Sequence, residues 1–372
     1  MRALPKITIY DRYVFQQVLI ATVVAILLFI VVWIAPEMLL KTIKKALSGE
    51  YDMRTAFLVL ACEIPLILGK AFPVGLLLGS LFTFDKLSKD SELTIFRAVG
   101  LSFKRILAPV LVLSFIVTGL CFYTCDRLIP AAETKKMEIK DKHPTTQYIY
   151  TQKDKNGAPE LAVVVSGFRD KIMYDVIVLD FSKKIYSDVH QLSNIYSASI
   201  GKYKGKYWEL RDIKQYDISS DGIFTAIEHV KKMRILNDET AAKNTYTLMT
   251  YSTKKEREIN NRDLRKYIKL LKSEEMEEEY NYMLNKYFQR FFHPFMCVLL
   301  AIMGTLLGFS KPREQRMIGF AIAIGSIFVY YITLPFFDLL AEKGVLHPLI
   351  TAIFPPLAFL MCIIIFYKSK DL

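Results

Sequence analysis

The chain has 372 residues, 52% hydrophobic and 23% charged, with a formal charge of +12 and a mean hydropathy of +0.26. A chain both apolar and charged keeps its apolar residues in blocks, which excludes a disordered, collagen-like or disulfide-stapled protein. The basic excess is spread over the flanks of those blocks and is not interleaved with aromatics, so anionic lipid is the expected partner of the charge and no nucleic acid is expected.

The blocks fall in chain order. Between Arg12 and Glu37 lie 24 uncharged residues. This run follows Arg2, Lys6 and Arg12, exceeds a signal-peptide core and has no small-x-small site after it, so it is expected to remain as a first helix. Thr55 to Phe84 is long enough for a second span although it carries Glu63 and Lys70. Arg105 to Asp126 and Arg290 to Lys311 each enclose 20 uncharged residues, Arg316 to Asp338 encloses 21 and Lys343 to Lys368 encloses 24. About 20 apolar residues cross a bilayer core, so six spans are expected. With the N-terminus in the cytoplasm, the short inner loops and termini hold thirteen Lys and Arg residues. The outer ones hold five: Lys41, Lys44, Lys45, Arg54 and Lys343. That bias puts both termini inside and Asp126 to Arg290 outside.

From about Gln147 to Met249 the outer segment carries short alternating or β-branched runs (YIYTQ, LAVVVS, DVIVLDF, YWELRDIKQYDI, IFTAIEHV, TYTLM). Turn signals separate them at Asp154-Lys155-Asn156-Gly157 and Asp221-Gly222. They predict a β-sandwich or jelly roll. From Asp263, a plausible N-cap, Leu264, Tyr267, Ile268 and Leu271 take helical spacing, and this helix is expected to be able to continue into the fourth span. The expected organisation is three spans over 1–130, a β domain over 131–262, a helix over 263–290 and three spans over 291–372. The fold class is thus an α-helical integral membrane protein, three helices plus three, with an inserted all-β jelly-roll-like domain.

No catalytic chemistry stands out. Cys62, Cys121, Cys125, Cys297 and Cys362 all lie in or beside spans, and Cys121 with Cys125 reads as small-residue packing. The five histidines lack ligand-like spacing, and there is neither a G-x-x-x-x-G-K-[ST] loop nor G-x-S-x-G. No metal, no cofactor and no enzymatic activity are expected, and any work the chain does must be powered by another subunit.

Other features bear on function. In the loop DKLSKDSELTIFRAVGLSFKR, Asp90 or Ser91 suits an N-cap, Glu92 a first turn, Leu93, Phe96 and Val99 one apolar face, and Gly100 a helix end. Such a helix lies on the membrane or docks in a partner's groove; a plain turn with lipid-facing apolar residues is the alternative. Ala71, Gly75 and Gly79, and Gly304 with Gly308, repeat every four residues, as close helix packing requires. Pro65, Pro73, Pro355 and Pro356 predict kinks or breaks. Lys70, seven residues after Glu63 and too far from it for a bridge, either snorkels outward or faces a hydrated cavity. Lys41, Lys44 and Lys45 suit a phosphorylated amphiphile at the outer leaflet, or form a solvated flank. Asp338 and Glu342 read as surface charge closing the fifth span.

Four segments carry a family resemblance: Tyr10-Asp11-Arg12-Tyr13, the run FPVGLLLGSLFTFDKLSKDSELTIFRAVGLS at 72–102, the hairpin around Gly205, Lys206, Trp208 and Asp212, and L-x-x-Y-I-x-x-L at 264–271. Together they resemble the LptF/LptG permease family over nearly the whole chain. The resemblance implies a half-transporter of a lipopolysaccharide export machine in a bacterial inner membrane. Its implied partners are a cytoplasmic ABC ATPase dimer, a second LptF/LptG-type permease or a second copy of itself, periplasmic LptC/LptA-like β-jellyroll proteins, and lipopolysaccharide or a related glycolipid. It implies an ATPase-coupling helix at Ser91 to Gly100, with Glu92, Phe96 and Arg97 inheriting that role, and lipid-phosphate contacts at Lys41, Lys44 and Lys45. Lys70 joins that cationic set by its depth in span two. The basic residue that some members carry in span five has no counterpart between Met317 and Phe337. Two other readings are a mechanotransmission subunit that moves no lipid and a structural membrane scaffold.

Overall fold

The computed structural model describes residues 8–34, 39–140, 148–153, 159–169, 171–181, 183–186, 189–218, 224–236, 238–252, 254–309 and 316–369. Both turn signals of the outer segment, at 154–157 and 221–222, lie outside them. In order the chain forms α1 (Ile9–Ile34), α2 (Leu40–Leu47), α3 (Met53–Lys89), α4 (Glu92–Ala98), α5 (Phe103–Tyr123), a π-helical turn (Thr124–Leu128) and α6 (Ile129–Lys140). Eight strands follow: β1 (Tyr148–Lys153), β2 (Pro159–Arg169), β3 (Ile172–Asp180), β4 (Lys183–Tyr186), β5 (Val189–Gln191), β6 (Asn194–Tyr203), β7 (Trp208–Ile218) and β8 (Phe224–Ile235). The chain then continues as α7 (Glu239–Ser252), a 3₁₀ turn (Glu256–Glu258), α8 (Asn261–Ser273), α9 (Glu277–Gly308), α10 (Arg316–Glu342) and α11 (Pro348–Ser369). Two compact units result: Met1–Ile139 with Glu256–Ile268 and Glu275–Leu372, and Lys140–Lys255 with Lys269–Glu274.

The first unit is the helix bundle. Six of its helical stretches are long and apolar enough to cross a membrane: α1, α3, α5 continuing to Ile139, α9, α10 and α11. One core joins Val14 and Val18 of α1 to Leu76 and Phe84 of α3, Ile106 and Val110 of α5, and Ala301 of α9; a second joins Leu77 and Leu81 of α3 to Leu300 and Met303 of α9, Tyr330 of α10 and Phe359 of α11. The central pair is therefore α3 with α9. Of the kinks or breaks expected at proline, no break occurs: α3 and α11 run unbroken through Pro65, Pro73, Pro355 and Pro356. Proline removes one backbone donor, and neighbouring helices can satisfy the carbonyl it frees. Pro73 frees the Gly69 carbonyl four residues earlier. Cys121 Sγ at 3.7 Å and His293 Nε2 at 3.4 Å meet that oxygen.

Where the sequence allows one helix to continue into the fourth span, there are two. α8 stops at Ser273, Glu275 takes a left-handed φ of 55°, and α9 restarts at Glu277. Acidic residues oppose the negative C-terminal end of α8 but favour the N-terminal end of α9, where Glu277, Glu278 and Glu279 form the first turn.

The second unit holds a six-stranded antiparallel sheet in the order β1-β2-β3-β6-β7-β8, with β4 and β5 forming a separate hairpin. The inserted β domain within a helical membrane protein is as the sequence predicts. A crease crosses the sheet. Inward residues step by three at one level in four neighbouring strands: Val165 to Phe168, Met173 to Val176, Ala198 to Gly201 and Leu210 to Ile213 are all buried. Pairing skips Asp175 and Ser199 between β3 and β6, and Ser199 and Asp212 between β6 and β7. Asp175 and Asp212 lie at left-handed φ of 49° and 52°. Aspartate tolerates that region and a β-branched residue does not. Asp212→Val is therefore expected to destabilise the protein by about 1–2 kcal/mol while Asp212→Gly does not, read as thermal unfolding midpoints of the purified chain; equal midpoints for the two variants would refute it.

The run TYTLM, predicted as strand, is helical. Asp238 Oδ2 accepts from Ala241 N at 3.1 Å, capping the start of α7. Ala242, Thr245, Leu248 and Met249 bury one helical face, and Thr245, Thr247 and Thr250 each satisfy the hydroxyl on the carbonyl four residues back. Of the hairpin residues of the resemblance, Trp208 belongs to the same core, fully buried and donating Nε1–H to the Ala242 carbonyl at 3.2 Å, while exposed Gly205 makes the turn at φ +91°.

Candidate functional site

The segment between α3 and α5 is built around α4. Ser91 precedes it with a left-handed φ of 62°, and Gly100 follows with φ +88°. Ser91 caps with its carbonyl, which accepts from Thr94 N and Ile95 N at 3.1 and 3.2 Å, and not with its hydroxyl. The expected side-chain cap is lost because a left-handed Ncap does not hold the hydroxyl where extended backbone would. The apolar face also differs from prediction: Leu93 is buried and Phe96 partly so, but Val99 is 78% exposed, together with Ile95 at 59%. One side of α4 is anchored in the bundle. The other presents Ile95 and Val99 four residues apart.

The anchor comes from the start of α1. Tyr13 donates its hydroxyl to Glu92 Oε1 at 3.0 Å, and the Tyr10 ring meets Phe96 edge-on at 4.8 Å. Tyr10 OH also donates to the Ile106 carbonyl at 3.2 Å, and Asp11 pairs with Arg105 at 2.5 Å. Asp11 also accepts from Thr8 N at 2.8 Å, closing its own first turn. Arg97 lies over Phe309 at 5.7 Å, beside the end of α9. Two segments picked out separately in the sequence, Tyr10 to Tyr13 and Ser91 to Gly100, thus touch.

The basic residues after span one lie on and beside α2. Lys45 pairs with Glu50 at 3.0 Å and sits over Tyr51, and the hydrogen bond to Glu50 followed by the Tyr51 interaction holds its ammonium above its ordinary pKa. Lys41 and Lys44 are exposed. Lys70 is half-buried, with Nζ 5.0 Å from the Trp33 ring of α1, and has no carboxylate partner among the described residues. Glu63 is committed elsewhere: Lys136 of α6 bridges it at 2.9 Å and Glu133 at 2.7 Å.

Sequence reasoning missed a polar seam on α9. Lys286, Gln289, Arg290 and His293 share one face and line a cavity of about 170 Å³ with Tyr330 and Leu334 of α10. Every cation in it is engaged. Lys286 pairs with Asp338 at 2.5 Å, Arg290 donates to the carbonyls of Ile259 and Glu256 and to Asn261 Oδ1, and Arg257 pairs with Glu256 at 3.6 Å. Asp338 is not surface charge: its side chain is 17% exposed and accepts from Asn285 at 2.8 Å and Gln289 at 2.7 Å as well. The i, i+3, i+4 spacing of polar residues before span four was the signal available for this seam. Its partner, some fifty residues later, carries no local pattern.

The glycines sit where helices approach most closely. A Cβ on Gly304 would lie 2.3 Å from the Leu77 carbonyl oxygen, and one on Gly308 2.6 Å from that of Leu81. On α3, a Cβ on Gly79 would lie 2.7 Å from Thr22 Cα, and one on Gly75 2.4 Å from Ile26 Cγ1.

The family model described as "Lipopolysaccharide export system permease LptF/LptG" covers residues 12–369. No individually curated protein matches the chain.

Proposed function

We infer the function from one premise: the chain belongs to the LptF/LptG family of lipopolysaccharide export permeases. It is accordingly a multi-pass inner-membrane protein and a permease subunit, not an enzyme. Beyond that, we propose that it pairs with a second permease of the family, or with a second copy of itself, over a cytoplasmic ABC ATPase dimer. Both termini are cytoplasmic and the β domain is periplasmic in this reading. Lipid enters laterally between outer helices, among them α1 and α10 of the paired permease, with its phosphates drawn to Lys41, Lys44, Lys45 and Lys70. ATPase closure, received through Ser91, Glu92, Phe96, Arg97 and Gly100, collapses the space that the lipid has entered between the paired permeases and drives acyl chains toward the β domain. From there LptC/LptA-like jellyroll partners take over the lipopolysaccharide or related glycolipid. The four glycines Gly75, Gly79, Gly304 and Gly308 keep the helices close enough to move as one body.

The observation that carries the coupling step is the two-sidedness of α4: anchored by Leu93 and Phe96, and offering Ile95 and Val99 to whatever lies beyond. Those two side chains, with Glu92 in the first turn, have the chemistry of a helix that seats in a partner's groove. Charge reversal at an interface costs several kcal/mol. Glu92→Lys is therefore expected to cut ATP-driven lipid release by at least about tenfold while the purified complex still contains both permease and ATPase. Unchanged release by that variant would reject the coupling role and favour a scaffold.

A further inference from the structure

The coupling reading has α4 moving the spans that flank it in the chain, α3 and α5. The geometry points to a third connection. We propose that Tyr13 and Tyr10 form a latch between α4 and α1, making them positioning residues that carry displacement of α4 into the first membrane helix. The proposal deepens the coupling reading and rests on it.

Three observations lead there. α4 is bounded at both ends by left-handed residues, Ser91 and Gly100, so seven helical residues sit between two sharp reversals of the chain. A short helix set between two such corners moves as a lever. Second, the contacts reach α1 by two different chemistries. The Tyr13 hydroxyl donates to the Glu92 carboxylate at 3.0 Å, and the Tyr10 ring packs edge-on against Phe96 one turn further along α4. A hydrogen bond to an ionised acceptor is directional, and an aromatic edge contact resists sliding, so together they define both position and angle. Third, α1 is packed along a single stripe, Val14, Val18, Thr22 and Ala25, held close to α3 at Gly75 and Gly79, while Leu27, Leu28, Val31 and Val32 are exposed. A helix seated along one stripe can rock about that stripe, together with the helix it is seated on, when its end is pushed. Asp11, paired with Arg105 at the start of α5 while closing the first turn of α1, supplies the fulcrum.

The bond from Tyr13 needs an acceptor at position 92 and not a charge. Glu92→Gln keeps an oxygen there, Glu92→Ala does not, and Tyr13→Phe removes only the hydroxyl. The test uses the whole transporter reconstituted in proteoliposomes, reading lipid released per ATP hydrolysed alongside subunit content. Tyr13→Phe and Glu92→Ala are expected to lower that ratio about three- to tenfold, the worth of one ordinary hydrogen bond, and the double variant to lose no more than either single. Because Glu92→Gln keeps an acceptor for Tyr13, adding Tyr13→Phe to Glu92→Gln is expected to lower the ratio by the same factor as Tyr13→Phe does in the parent. A residue with a merely structural role would instead lower subunit content or hydrolysis and leave the ratio intact. A wild-type ratio in Tyr13→Phe, or additive losses in the double variant, overturns the latch. If Glu92→Lys abolishes release in the same vesicles, that failure leaves the coupling reading standing; if Glu92→Lys is also indifferent, the coupling reading falls and the latch with it.

Discussion

Asp338→Leu is expected to destabilise the helix bundle by about 3–5 kcal/mol, the cost of leaving a buried charge without its partner. The carboxylate is the hub of α9, α10 and α11. Lys286, Asn285 and Gln289 all donate to it, and Asn285 in turn accepts from Thr351 of α11 at 3.0 Å. With Lys286 18% exposed and Asp338 17%, neither can turn to water without moving a helix. Lys286→Met should cost less, because Asp338 keeps two amide donors. The combined Lys286→Met/Asp338→Leu protein should be more stable than Asp338→Leu alone, since the second change removes the stranded ammonium. It should still fall short of the parent, because the Asn285 and Gln289 amides lose their acceptor at about 1–3 kcal/mol. Unfolding midpoints of the four proteins in one detergent decide it. Strictly additive losses would mean that the ion pair carries no coupling energy.

How Asp338 escaped a reading of the sequence shows where such readings stop. Runs of uncharged residues locate spans because hydrocarbon excludes charge, and all six stretches did become long apolar helices. The same rule treats every charge at the end of a run as a flank. It cannot distinguish a residue that meets water from one whose partner comes from another helix. The crease hid differently: alternation breaks at Asp175 and Asp212, and a step of three reads as a weak strand until the neighbouring strands break at the same level. The threonines of α7 look β-branched and turn out to satisfy themselves on their own helix. The α4 region lay in between. Its helix and its ends were legible from Glu92, Leu93 and Gly100, but the contact with Tyr10 and Tyr13 joins residues about 80 apart in the chain and leaves no local trace.

Glycine spacing was legible too, and the structure ranks the positions by what blocks them. Alanine at Gly304 puts Cβ 2.3 Å from a backbone oxygen of α3, and at Gly308 within 3.0 Å of Leu81 O, Phe84 Cβ and Asp85 N. Backbone cannot rotate aside, so each substitution must push α9 off α3, the central pair of both cores. Overpacking of this kind costs about 1–3 kcal/mol per site, and the Gly304→Ala/Gly308→Ala protein should lose the α3–α9 contact altogether and fail to assemble. At Gly79 two of the three blocking atoms are Thr22 Cα and N, so Thr22→Ala does not rescue Gly79→Ala, even though it removes a buried hydroxyl that has no hydrogen-bond partner among the described residues. At Gly75 the nearest blocker is the Ile26 side chain, which can change rotamer, and Gly75→Ala should be milder than the other three. At Gly119 and Gly325 nothing lies within 4 Å of where a Cβ would sit. Alanine there gains helix propensity of about 0.8–1.0 kcal/mol without a clash, so the sign reverses: Gly119→Ala and Gly325→Ala should raise the unfolding midpoint that Gly304→Ala lowers. If Gly304→Ala and Gly308→Ala raised the midpoint as Gly119→Ala and Gly325→Ala do, helix propensity would outweigh close approach, and the seam between α3 and α9 would not be what holds the bundle.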